Sequence, residues 1–205
     1  MTPVRTTAVL TPDAVLDAVR RNPVNVAILE RLPDLGAPQA QLVAGCVFGA
    51  VWNAQAGLDA TAHVRDYDVF YFDPDTGYGA EDEVIRRAGQ LFADLGVTVE
   101  VRNQARVHLW FESRFGQTRP AIGSVREGID QFLVRCTCLG VDAAGTLYAP
   151  YGLQELAAGV LRPNPLNADD GTLYRAKVDS YRARWPWLRD DAGGPPGPLT
   201  GPPHA

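Results

Sequence analysis

A chain of 205 residues fits one domain, or one domain with a small appendage, and is long enough to bury a sizeable core. Apolar residues make up 46% and charged residues 21%, as in soluble globular proteins, and no apolar run reaches the roughly 18 residues of a membrane helix. The net charge of −5 speaks against a nucleic-acid partner held by bulk electrostatics.

Met1-Thr2-Pro3-Val4-Arg5 has no apolar stretch behind it of the kind that marks a secretory signal. The three cysteines cannot all pair within the chain. Cys136 and Cys138 lie in an apolar run and read as reduced core residues, which fits a cytoplasmic protein without membrane attachment. Lys177 is the single lysine, and it reads as a composition bias.

Thr11-Pro12-Asp13 predicts a helix start: an N-cap, proline at the first helical position and an acid in the first turn. Asn22-Pro23 repeats the signal, and Pro33 stops the second helix. These helices, about residues 11–33, are expected to pack on the body of the domain. Gln41 to Ala44 reads as a short buried strand ending at Gly45, with a helix from about Val47 to Gln55 capped by Gly57. Glycine at such a strand–helix turn admits a ligand close to the backbone, and the helix N-terminus favours an anion. A tight turn that simply needs glycine is the alternative.

Val64 to Asp73 reads as a strand. Tyr67, Val69 and Tyr71 share one face. Asp66 and Asp68 share the other, with Cα atoms about 6–7 Å apart. Two neighbouring carboxylates repel, and a cation that also grips substrate phosphates would hold them together. A solvated strand end with two surface acids is the alternative. Phe70 and Phe72 follow on the acid face, so that face must be covered further along.

Glu81-Asp82-Glu83 opens a helix running to about Leu95, its acids suited to the helix dipole. Val97 to Arg102 alternates as a strand, with Glu100 between Thr98 and Arg102 on one face. Val107, Leu109 and Phe111 alternate with Arg106, His108 and Trp110, which predicts another strand. His108 is a candidate acid–base group, although a lone histidine is more often satisfied locally.

Ser124-Val125-Arg126-Glu127 is a capping-box signature. Phe132 to Val141 reads as strand, Leu147 to Pro150 as a short strand, and Leu153 to Val160 as a short helix. A last helix covers about Thr172 to Arg184, with Trp185-Pro186-Trp187-Leu188 packing it down. The domain is expected over 1–189, with a disordered Gly/Pro-rich tail over 190–205.

The order is a strand, Gly45 and a helix, then the Asp66-x-Asp68 strand, a helix, and a strand carrying Glu100. It resembles the polymerase β-like nucleotidyltransferase superfamily. A closer resemblance is to a bacterial family of nucleotidyltransferase-like proteins. It rests on Val43-Ala44-Gly45-Cys46-Val47, Trp52-Asn53, Arg65 to Asp73, Val101 to Trp110, Ala149-Pro150-Tyr151-Gly152-Leu153 and Arg162-Pro163-Asn164-Pro165.

That resemblance implies an α/β (α+β-type) nucleotidyltransferase fold, a small mixed β-sheet with helices packed on one face. It implies transfer of a nucleotide from an NTP to an acceptor hydroxyl, with Mg²⁺ or Mn²⁺. Asp66, Asp68 and Glu100 would be catalytic and bind metal. Gly45 would face the phosphates, with Arg102 and Arg106 neutralising charge on the pyrophosphate. The acceptor is left open, nucleic acid included. Two departures stand out. Gly45-Cys46 replaces the usual Gly-Gly or Gly-Ser, which removes a phosphate-bonding hydroxyl, and positions 45 and 66 lie farther apart than in the compact motif. A non-catalytic nucleotide sensor of the same fold and a toxin–antitoxin nucleotidyltransferase are the rival readings.

Overall fold

The computed structural model describes residues 9–116, 118–167 and 171–193. Helices α1 (Pro12–Arg20) and α2 (Pro23–Arg31) begin where their proline signals predict. Thr11 accepts a hydrogen bond from the Ala14 amide, and Asn22 accepts from Val24 and Asn25. Asn22 also donates to the Tyr67 hydroxyl at 3.1 Å, tying the α1–α2 junction to the centre of the molecule.

Strand β1 (Gln41–Val43) runs into α3 (Gly45–Ala56), which Gly57 ends at φ 68°. Then come β2 (Tyr67–Tyr71), α4 (Tyr78–Leu91), β3 (Val99–Asn103), α5 (Val107–Phe115) and α6 (Val125–Asp130). The chain closes with β4 (Gly140–Asp142), β5 (Leu147–Tyr148), α7 (Gln154–Ala158), β6 (Val160–Leu161), α8 (Thr172–Arg184) and β7 (Arg189–Asp190).

The main sheet has the order β3-β2-β1-β4-β5. Only β2 and β3 pair in parallel, as the crossover through α4 requires, and the other pairs are antiparallel. Leu42, Val69, Val101 and Val141 project from the sheet into the large core with α1 to α4 and α8. Trp52 and Trp185 lie deep in it; Trp185 donates to Asn53 Oδ1 at 2.8 Å. Most helices therefore cover one face, as expected. The opposite face carries a smaller cluster of Val43, Val125, Ile129 and Cys138, with Phe70, Phe72 and Phe132 against it. Phe70 meets Phe132 edge to face at 5.7 Å. Helix α6 and these rings supply the cover that the acid-bearing face of β2 needs beyond Asp68.

Three expectations are corrected. Residues 107–115 form helix α5 instead of a strand, because the Asn103 side chain accepts from the Ala105 amide and turns the chain as β3 ends. No residue of α5 is fully buried, and Leu109 is 57% exposed, so no sheet holds this segment extended. Within 132–141 only Gly140 onward is a strand. Residues 135–137 form a 3-10 turn closed by the Thr137 hydroxyl donating to the Val134 carbonyl. The expected tail begins too early, because Asp190 and Asp191 are held in place. Asp190 accepts from the Tyr174 hydroxyl at 2.7 Å, and Asp191 pairs with Arg162 at 2.5 Å. Residues 194–205 of that tail lie outside the described residues. Among the described residues, no helix is long and apolar enough to cross a membrane, and the three cysteines are free and buried.

Candidate active site

The alternation of β2 sets the site. Tyr67, Val69 and Tyr71 are buried on the core face, which leaves Asp68 and Phe70 on the other. Asp68 is in register with Val43 of β1 and with Glu100 of β3. Register partners on adjacent strands project from the same face, so Asp68 and Glu100 are neighbours. Asp66 stands one pleat earlier, partly exposed.

These acids crowd one another. Burial, and then the charges of Asp66 and Glu100, push the Asp68 carboxyl up from 3.8 to about 7, against the opposing pull of Lys177 and Arg102. Glu100 has a cation of its own: Arg102, two residues along the same strand face, donates to it at 3.0 Å. Among the described residues no group of three His, Cys, Asp or Glu side chains is placed to hold a metal ion together.

Between β1 and α3 the chain turns sharply. Ala44 takes φ 60° and ψ −139°, a conformation that costs a residue other than glycine about 1–3 kcal/mol. The strained position is thus Ala44, one residue before the expected glycine. Gly45 is the first residue of α3, and a Cβ on it would meet nothing within 4 Å. Its missing side chain opens space directly before a helix N-terminus, where backbone N–H groups favour an anion. Cys46 points inward. Its thiol donates to the Val43 carbonyl at 3.0 Å, and burial, with Asp68 nearby, pushes the thiol's pKa up.

Gly45, Asp66 and Asp68 share a cavity of about 580 Å³. Its other walls come from distant parts of the chain: Phe111 and Phe115 of α5 on one side, Lys177 and Arg184 of α8 on the other. A wider hollow of about 840 Å³ lies beside Phe92 and Val99, but no carboxylate lines it. Glu100 and Arg102 flank the acid pair without lining the 580 Å³ cavity.

Arg106 is directed elsewhere. It pairs with Glu81 at 2.8 Å, both side chains nearly buried, while Glu81 also accepts from the Asn103 amide. The pair fastens the end of β3 to α4, so Glu81 serves the interior of the fold and Arg106 is removed from the expected phosphate side. His108 lies on α5 and does not line the cavity.

The residues that sequence reasoning missed are Lys177 and Arg184. The only available signal was the singular lysine itself, set on a helix whose buried stripe is Tyr174, Val178 and Tyr181.

Residues 30–189 match the family described as Nucleotidyltransferase, and the chain belongs to that family. An NMR structure described as revealing a CCA-adding enzyme head domain is 27% identical, with a TM-score of 0.72 over 88% of this chain and 95% of that one. The Thermotoga maritima CCA-adding enzyme complexed with tRNA is 14% identical, with a TM-score of 0.53 over 91% of this chain. That second likeness shows the fold alone, and it spans 44% of the Thermotoga chain. A comparison with curated proteins found no match.

Proposed function

We propose that this nucleotidyltransferase moves a nucleotide from an NTP to an acceptor hydroxyl at the cavity bearing Asp66 and Asp68, with Glu100 beside them. The observation that carries the reading is Asp68, a partly buried carboxyl held near two other acids at the mouth of a helix N-terminus.

The donor set fits a hard divalent cation. Mg²⁺ is commonly bound by one or two carboxylates plus substrate phosphates, so Asp66 and Asp68 suffice for Mg²⁺ or Mn²⁺. When bound, such an ion draws negative charge from the phosphates and lowers the pKa of a bound hydroxyl. The rest falls to the chain. The first amides of α3 meet phosphate oxygens in the space left by Gly45. Asp66 and Asp68 would hold that ion on their shared face, and its charge would offset their repulsion of the substrate's phosphates. Glu100, released from Arg102, accepts the acceptor's proton, and Arg102 then offsets charge at the flank.

The likeness to an enzyme complexed with tRNA supports testing a nucleic-acid hydroxyl among the acceptors. The Glu100–Arg102 ion pair favours the rival reading, a nucleotide sensor in which Glu100 has no proton to take. Incubation with Mg²⁺, each NTP and a panel of acceptors, followed by pyrophosphate release, separates the two. Release that depends on Asp66 and Asp68 supports transfer. Calorimetric binding of Mg·NTP without release across the panel supports the sensor.

A further inference from the structure

We infer that the α8 wall of the cavity, Lys177 and Arg184, with Arg65 in the same lining, is an anion site that takes the pyrophosphate portion of the substrate. This deepens the proposed function and rests on it.

The chain carries more acids than bases, 24 against 19, and many of its arginines are spent on carboxylates. Arg31 pairs with Asp94, Arg87 with Glu83, and Arg135 and Arg162 with Glu155. Among the described residues, Lys177, Arg184 and Arg65 make no such ion pair. All three line the one cavity that also carries the Asp66–Asp68 pair.

Arg184 is the most telling. It is half-buried, stacked at 4.8 Å on the Trp185 ring and 5.3 Å on Tyr181. Its guanidinium donates only to neutral oxygens: the Ser180 carbonyl and hydroxyl and the His63 carbonyl. A guanidinium held in place by rings, partly desolvated, near Asp66 but bonded to no carboxylate, is prepared for an anion.

Lys177 lies two helical turns before it on α8, its ammonium 5.9 Å from the Tyr181 ring centre and close enough to Asp68 to draw on that carboxyl. Attraction to Asp68 aims the ammonium across the cavity toward the reacting end of a bound substrate. When the bond from the α-phosphorus to the bridging oxygen breaks, both electrons leave with pyrophosphate. The new negative charge then develops on the side where these cations stand. Lys177 and Arg184 line the cavity from α8, and Asp66 and Asp68 line it from β2 and the residue before it, which gives a triphosphate one orientation.

The test is calorimetric titration of the full chain with inorganic pyrophosphate and Mg²⁺, and separately with a nucleoside lacking phosphates. Lys177→Met should weaken pyrophosphate binding at least about tenfold and leave nucleoside binding within twofold, while Lys177→Arg keeps most of the affinity. Arg175→Met removes the same charge from α8 away from the cavity, and should stay within about twofold of the parent. Because Arg184 packs on two rings, Arg184→Lys is the safer variant there, and it should also weaken pyrophosphate. Pyrophosphate affinity unchanged in Lys177→Met, or lowered equally in Arg175→Met, would overturn the inference. If transfer proceeds in the parent while Lys177→Met behaves like it, this site fails and the proposed activity stands. If Lys177 governs pyrophosphate binding but no acceptor is ever labelled, the activity fails and the site stands.

Discussion

Asp68 and Glu100 are side-by-side partners on adjacent parallel strands, yet only Glu100 has a cation bonded to it. Asp68, more enclosed and facing two acids, is raised to about 7. Between its ordinary value of 3.8 and about 7, the folded chain keeps the Asp68 proton while the unfolded chain has lost it. This residue's contribution to stability is therefore favourable at low pH, declines as pH rises through that window and levels off above it. Asp68→Asn removes the effect. In EDTA, calorimetry should show Asp68→Asn melting roughly 4–10 °C above the parent at pH 8 and within a degree of it near pH 4. Equal melting at both pH values would show that Asp68 is not crowded.

Gly45→Val should leave the fold intact, since a Cβ there meets nothing within 4 Å. The added methyls would instead fill the space before the α3 amides. The expected result is a melting temperature within about 3 °C of the parent together with loss of Mg·NTP binding. Binding at parental affinity would remove the α3 N-terminus from the phosphate site.

Arg106→Met should act on stability and spare the ligand. It leaves Glu81 buried without its partner, which costs about 3 kcal/mol, a drop of roughly 6–12 °C in melting temperature. Pyrophosphate affinity measured well below that temperature should match the parent. An affinity loss without destabilisation would return Arg106 to the phosphate side.

Much of this arrangement was legible in the chain because strand alternation is a local property. The alternation at Tyr67, Val69 and Tyr71 assigns the acids to one face, and Phe70 and Phe72 announce that the face must be covered. The alternation that ends at Arg102 marks the end of β3 to within one residue, but the next segment is a helix where its pattern predicts a strand. Val107, Leu109 and Phe111 mimic a strand over a window too short to decide, and α5 has no buried stripe to betray its helical period. The cationic wall was hidden for a different reason. Lys177 and Asp68 come to line one cavity only through the packing of α8, which Trp185 and Tyr181 anchor beside Trp52, and no local pattern encodes a proximity across so much intervening chain. The Arg106–Glu81 pair is hidden from the sequence because Glu81 reads as one of three acids at a helix start, when it is nearly buried.

Glu100→Gln separates proton acceptance from binding. Freed of charge, residue 100 no longer pairs with Arg102 or repels Asp68. Transfer should fall by about 10²–10⁴-fold, the usual loss of a general base, while Mn²⁺ still raises the melting temperature through Asp66 and Asp68. Initial rates of pyrophosphate release beside melts with and without Mn²⁺ check both halves. Full activity in Glu100→Gln would leave Glu100 as no more than a partner for Arg102.

The most direct measurement is transfer itself. The parent, Asp66→Asn and Asp68→Asn are incubated with α-labelled NTPs, Mg²⁺ and a cell lysate, and the label is traced into macromolecules and small acceptors. The account predicts an acceptor labelled by the parent, with the label absent in EDTA and lost in both variants while each variant remains folded. The same acceptor labelled equally by Asp68→Asn would contradict it.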